Sequence, residues 1–143
     1  MEDQQNLEEI VNQINTYNQQ AELIQQQIEL IRASIAEVDN LNNTLDDLKG
    51  KDSVEAFVPV GAGSFIEGNL KNTDKIIISI GAGYALKKDV EGAKEIIAGQ
   101  KEDLQESLDK MLANLQQVTD MVGMLTNQAN QLSAAAQNPM GGY

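Results

Sequence analysis

Val58-Pro59-Val60-Gly61-Ala62-Gly63-Ser64-Phe65-Ile66 returns twenty residues later as Ile78-Ser79-Ile80-Gly81-Ala82-Gly83-Tyr84-Ala85-Leu86. Each copy is an apolar stretch, a Gly-Ala-Gly turn and a second apolar stretch, the pattern of a β-hairpin. The doubled motif predicts four strands, at 54–60, 64–70, 75–80 and 83–87, with Asn72-Thr73-Asp74 as the link between hairpins. Glycine supplies the positive φ that a tight hairpin turn needs. Pro59 stands just before its turn, where a missing N–H donor costs least. A phosphate-loop reading of the glycines fails. Neither copy has the third glycine of a dinucleotide fingerprint, and neither has Gly-Lys-Ser/Thr at the required spacing.

Outward from this segment, both flanks change period from two to seven. On the N-terminal side Leu7, Ile14, Ala21, Ile28 and Ile35 form one track, and Ile10, Tyr17, Ile24, Ile31, Val38 and Leu45 the other. On the C-terminal side Val90, Ile97, Leu104, Met111, Val118, Leu125 and Leu132 run beside Leu108, Leu115, Val122, Ala129 and Ala136. Heptads sustained this long mark a coiled-coil seam. Two such arms joined through a short β segment must fold back on each other. The expected class is therefore α+β, a long antiparallel two-helix coiled coil joined by two β-hairpins.

The whole chain, 1–143, reads as a single domain. Its parts are an N-terminal arm over 1–48, a double-hairpin base over 54–88, a C-terminal arm over 89–136 and a tail over 137–143. Lys49-Gly50 ends the first arm, and the Asp89 carboxylate can cap the first amides of the second. The proline and glycines of the tail argue for fraying.

Composition excludes several functions. A net charge of −12 argues against nucleic acid, whose phosphates are held mainly by Lys and Arg. With no Cys and no His, thiol chemistry, zinc sites and imidazole bases are missing, so no catalytic, metal or cofactor residue is nominated and an enzyme is not expected. No apolar run suits a membrane helix and no charged-then-apolar leader opens the chain, so a cytoplasmic protein is expected. Asn42-Asn43-Thr44 matches a glycosylation sequon that is read as chance.

The seams have informative exceptions. Asn42 interrupts the first, and Lys94 and Lys101 occupy positions on the second. An antiparallel register brings Lys94 near Asp46 and Asp47, and Lys101 near Glu37 and Asp39. Such a polar layer can fix register at a cost in stability, or the lysines simply snorkel outward.

Charge is also uneven along the arms. From Ile10 to Ala21 there is none, and from Met111 to Tyr143 the only ionisable side chains are Asp120 and the Tyr143 phenol. Antiparallel pairing gathers these neutral stretches at the arm ends, where Val11, Met121 and Met124 fall off the seam. Methionine adapts to irregular apolar partners, and amides bond peptide groups without selecting charge. Leu7, Ile10, Val11, Ile14, Met121, Met124, Leu125 and Leu132 are the candidate contacts for a polypeptide ligand.

The base poses the opposite problem of too much apolar surface. Ile76-Ile77-Ile78 puts large side chains on both faces of one strand, and Phe57, Phe65 and Tyr84 cluster in the same segment. A four-stranded sheet covered on neither face predicts obligate assembly, through Phe57, Phe65, Ile76, Ile78, Ile80 and Tyr84.

Val60-Gly61-Ala62-Gly63 and Ile80-Gly81-Ala82-Gly83-Tyr84, set between long heptad arms, resemble the prefoldin family over nearly the whole chain. The two hairpins resemble its archaeal alpha class, where the beta class has one. Gly92 departs from the acidic helix former of many relatives, which implies a weaker first turn. The resemblance implies a hexamer of two alpha-class and four beta-class subunits, with hairpins packed into an oligomeric β-barrel. It further implies a chaperone that captures non-native polypeptides at the arm tips without ATP and passes them to a group II chaperonin. The rival expectation is a non-catalytic coiled-coil adaptor for one specific folded partner. Charge-poor tips favour the chaperone, because specific coiled-coil pairing usually relies on charged flanking positions.

Overall fold

The computed structural model describes residues 2–71 and 73–137. Helix α1 (Glu2–Leu48) leads into strands β1 (Ser53–Gly61), β2 (Ser64–Lys71), β3 (Lys75–Gly81) and β4 (Tyr84–Asp89), and helix α2 (Val90–Gln137) follows. The expected tail lies outside the described residues from Asn138 onward. Two compact units divide the chain, one of Met1–Ala33 with Glu106–Tyr143, the other of Ser34–Gln105.

In the Ser34–Gln105 unit, β1 pairs with β2 and β3 with β4, each antiparallel. These are two separate two-stranded sheets rather than the expected four-stranded one. The link explains part of the difference. Thr73 is buried and its hydroxyl donates to the Lys51 carbonyl, which ties the chain back toward the end of α1 between the two hairpins.

Both turns are two residues long, closed by Gly61 opposite Ser64 and Gly81 opposite Tyr84. Ala62 and Gly63 have φ of 49° and 74°, and Ala82 and Gly83 have 54° and 80°. Positive φ at both central residues is the primed turn whose twist matches a hairpin. Alanine, not only glycine, therefore bears left-handed backbone here, which is strained for a residue with a Cβ. The ladder slips between Pro59 and Gly61, so Pro59 is the last residue in regular register before the turn.

The core of this unit is intramolecular. Leu45, Ile78, Val90, Ala93 and Ile97 are buried together, with Val38, Leu41, Ile76 and Ile96 packed around them. Leu45 and Ile97 are 1% and 2% exposed. Burial of each such aliphatic side chain contributes about 1.5–3 kcal/mol. The Gln100 amide also donates to the Ser79 carbonyl at 3.3 Å, joining α2 to β3. Ile76 and Ile78 were expected on a subunit interface. Ile78 is only 4% exposed, covered by residues of α1 and α2, and this corrects the idea that neither hairpin face can be covered within one chain.

The helix ends follow local rules. Lys49 N–H donates to the Leu45 carbonyl at 3.1 Å and Gly50 turns left-handed with φ 76°, which stops α1. Asp89 Oδ1 accepts from Gly92 N–H at 2.9 Å, capping α2. A Cβ at Gly92 would stand 2.7 Å from that same oxygen. Gly92 is thus fitted to its cap, and the reading of a merely weakened first turn is revised.

Within this unit the helices run antiparallel. Lys49 pairs with Glu91, Asp46 with Lys94 and Asp39 with Lys101, the last at 2.7 Å. As numbering falls along α1 it rises along α2. Both lysine layers expected from the sequence are made.

In the Met1–Ala33 and Glu106–Tyr143 unit, the heptad tracks are the sheltered positions. Leu7, Ile10, Ile14, Tyr17, Ala21, Ile24 and Ile31 are half-buried and Ile28 is buried. On α2, Leu108, Met111, Leu115, Val118, Val122, Ala129 and Leu132 are half-buried and Leu125 is buried. The period of the sequence is the period of burial.

Candidate functional site: arm ends and hairpin faces

Each unit carries one candidate surface. The first comprises the N-terminal turns of α1 and the C-terminal turns of α2. Of the eight candidate ligand contacts, Leu125 is buried, and Leu7, Ile10, Ile14 and Leu132 are half-buried seam residues. Val11, Met121 and Met124 are exposed, Met124 by 58%. The heptad places them there: each is one or two residues off a seam position, so the helix turns it outward. Leu7 and Val11 share a shallow hollow of about 380 Å³ with Glu8 and Asn12. These two candidates are brought to one spot.

Charge is sparse at the α2 end, while the first turns of α1 carry Glu2, Asp3, Glu8 and Glu9. Asp120, the one carboxylate after Met111, accepts a hydrogen bond from the Gln116 amide at 2.9 Å. Thr16 satisfies its hydroxyl on the Asn12 carbonyl at 3.0 Å, inside its own helix. Beside Glu8, which lines the same hollow as Leu7 and Val11, the ends expose methionine, valine and amides.

The second surface is the hairpin pair. Phe57, Phe65, Ile80 and Tyr84 are exposed, Phe57 and Tyr84 by about 70%. Phe57 and Phe65 line a shallow hollow of about 550 Å³ with Glu67. Ile76 and Ile78 are not part of this free surface, for the reason given above. The sequence reading missed Val58, Val60, Ile66, Leu70, Ile77 and Leu86, all exposed. The turn register could have found several of them. Val58 stands opposite Ile66, so this apolar pair shares one side of a hairpin with no third strand beside it. Ile77 alternates with Ile76 and Ile78, so covering the latter two necessarily leaves Ile77 out.

Among the described residues no cluster of carboxylates could hold a metal ion, and no helix is long and apolar enough to cross a membrane. At the junction of helix and hairpins, Lys49 pairs with Glu91. There the Lys49 ammonium is raised above its ordinary value, first by its hydrogen bond to Glu91 and then by the charge of the same carboxylate.

Comparison with known proteins gives a consistent result. The family model described as "Prefoldin subunit" matches residues 17–135. The prefoldin subunit alpha of Methanobrevibacter smithii is 69% identical over 140 residues, covering 98% of this chain and 96% of that one. That of Methanosarcina barkeri is 34% identical, covering 85% and 87%. Among solved structures, the filamentous PFD from Methanocaldococcus jannaschii, determined by cryo-EM, covers 86% of this chain and 97% of its own. The TM-score is 0.55 at 22% identity, a likeness of fold.

Proposed function

The chain belongs to the prefoldin family, and from that premise we propose that it is the alpha-class subunit of an ATP-independent holdase. The hairpins join it to beta-class subunits in a hexamer of two alpha and four beta chains. The arm ends capture non-native polypeptides, and the complex delivers them to a group II chaperonin in the cytoplasm. The observation that carries this reading is the co-occurrence of arm ends exposing Val11, Met121 and Met124, the α2 end being charge-poor, with hairpins exposing Phe57, Phe65, Ile80 and Tyr84. One surface suits weak, unselective contact; the other suits lasting association.

Avidity supports the mechanism. A single end holds a random polypeptide weakly, whereas several ends around one client gain about 10²–10⁴ through effective concentration. Release then needs no fuel, because each contact exchanges quickly.

The test is an aggregation assay with two unrelated denatured proteins, using the complex assembled from this chain and beta-class subunits. Protection of both is expected. Removing residues 1–15 and 122–143 leaves the hairpins and should leave assembly intact while protection drops steeply. Met121→Glu with Met124→Glu should act in the same direction with helicity unchanged. Full protection by the truncated assembly would move capture away from the arm ends.

A further inference from the structure

Leu23 and Leu30 are 61% and 70% exposed on α1, although the adjacent seam is already filled by Ile24, Ile28 and Ile31. Seven residues separate them, nearly two full turns, so both lie on one side of the helix about 10.5 Å apart. Glu22 and Glu29 precede them at the same interval, in a repeated Glu-Leu-Ile. Among the described residues, the ion pairs involve Glu91, Asp46 and Asp39, and neither Glu22 nor Glu29. The two chain segments of this unit carry two cations, Arg32 and Lys110, against nine carboxylates. Two leucine knobs at heptad spacing, flanked by unneutralised acids on an anionic arm, fit one kind of partner. It is a helix with apolar residues at the same spacing and Lys or Arg beside them.

We propose that the Leu23–Leu30 stripe binds cationic amphipathic helical segments of non-native polypeptides, as a charge-selective surface separate from the Val11, Met121 and Met124 contacts. The inference rests on the capture reading for the source of the helix, while its physical content concerns the stripe alone. Desolvation of the leucines supplies affinity, and Glu22 and Glu29 supply the choice of sign. A client segment with acidic flanks meets like charge and is refused.

The experiment uses the complex of this chain with beta-class subunits and two labelled synthetic peptides of about 20 residues, long enough to hold a helix. Both carry leucines at seven-residue spacing, one with lysine flanks and the other with glutamate flanks. By fluorescence anisotropy the lysine peptide is expected to bind and the glutamate peptide not. Leu23→Gln with Leu30→Gln should weaken the lysine peptide about tenfold or more. Glu22→Gln with Glu29→Gln should weaken it and flatten its dependence on salt, whose screening length is about 10 Å at 0.1 M. Native mass and helicity should not change, since all four side chains are exposed. Equal affinity for both peptides, or an unaltered affinity in the leucine variant, overturns the proposal. So does loss of the assembly in that variant, which would make the stripe a contact between subunits. Aggregation protection by the parent complex is scored separately, so failure of the capture reading shows there and failure of the stripe shows in the peptide affinities.

Discussion

Lys94 of α2 reaches across the seam to Asp46 of α1, Nζ to Oδ1, from a heptad position that would ordinarily hold a leucine. Its side chain is 26% exposed and that of its partner 50%. Lys101 repeats the arrangement seven residues on with Asp39. Solvent screening limits each pair to about 0.2–1 kcal/mol. The pairs act mainly on register, because a slip of the helices would strand two ammonium groups against apolar neighbours.

Replacing Lys94 and Lys101 by leucine should therefore leave thermal stability unchanged or higher, since the orphaned carboxylates stay in water. Register should loosen. Spin labels placed on the two helices of this unit should report one distance in the parent and a broadened or split distribution in the variant. A single sharp distance in both would show that the apolar residues alone define the alignment.

The Lys49–Glu91 pair makes a statement about pH. Its lysine is raised above 10.5 in the folded chain, so the stabilisation is fully present below that unfolded value. It is lost as pH rises through the higher folded value. The difference in thermal unfolding between the parent and Lys49→Met should be constant from neutral pH to about 10.5 and shrink above it. A difference that vanishes on acidification instead, with alkaline pH harmless, would assign the effect to another group.

How far the sequence could be read depended on the range of the interaction that decided each feature. The heptad period fixed which residues are sheltered, from Leu7 to Leu45 and from Val90 to Leu132, because a two-helix seam repeats one local rule. The lysine layers followed from register alone, and the turns from Gly-Ala-Gly. The β region resisted for a different reason. Alternation along Ile76-Ile77-Ile78 says that two faces are apolar but not which one the chain's own helices cover. That depends on how α1 and α2 leave the hairpins, a tertiary fact carried by the Thr73 hydrogen bond and by Val90, Ala93 and Ile97. At the arm ends, the off-seam positions of Val11, Met121 and Met124 were legible, whereas Leu23 and Leu30 lie beside Glu22 and Glu29, outside the uncharged stretches.

Two glycines in α2 should respond differently to alanine. Gly99 has open space where a Cβ would go, so Gly99→Ala should stabilise by about 0.5–1 kcal/mol through helix propensity. At Gly92 the new Cβ would press on Asp89 Oδ1 at 2.7 Å and disturb the cap. A lost cap costs about 0.5–2 kcal/mol, which offsets the propensity gain. Chemical denaturation should therefore rank Gly99→Ala above the parent and Gly92→Ala level with it or below. Equal gains at both sites would mean that the Asp89 cap contributes little.

The turn alanines invite the reverse change. Ala62 and Ala82 sit at φ 49° and 54°, a conformation that asparagine tolerates better. Ala62→Asn and Ala82→Asn should each stabilise their hairpin by about 0.5–1 kcal/mol. Slower amide exchange in β1–β2 for the first and β3–β4 for the second would show that each gain is local. Uniform or absent protection would indicate that the turns do not limit hairpin opening.

Adjacent isoleucines on β3 separate the chain's own core from its exposed apolar surface. Ile78 is 4% exposed against Leu45, Val90, Ala93 and Ile97, whereas Ile77 is 74% exposed. Aspartate at Ile78 puts a carboxylate among aliphatic side chains with no partner, so the unit itself should unfold at lower temperature, whether or not other subunits are present. Even Ile78→Ala should cost about 2–5 kcal/mol. Aspartate at Ile77 meets only solvent in the single chain, where its cross-strand neighbour is Lys87, so the isolated chain should keep its stability. If the hairpins join the subunits through their exposed apolar side chains, that same change should lower the mass of the complex formed with beta-class partners. Differential scanning calorimetry of the single chain and native mass spectrometry of the complex give the two readouts. Normal mass with Ile77→Asp would leave Phe57, Phe65, Ile80 and Tyr84 to carry the contact, and normal mass with all five changed would move the interface off the hairpins altogether.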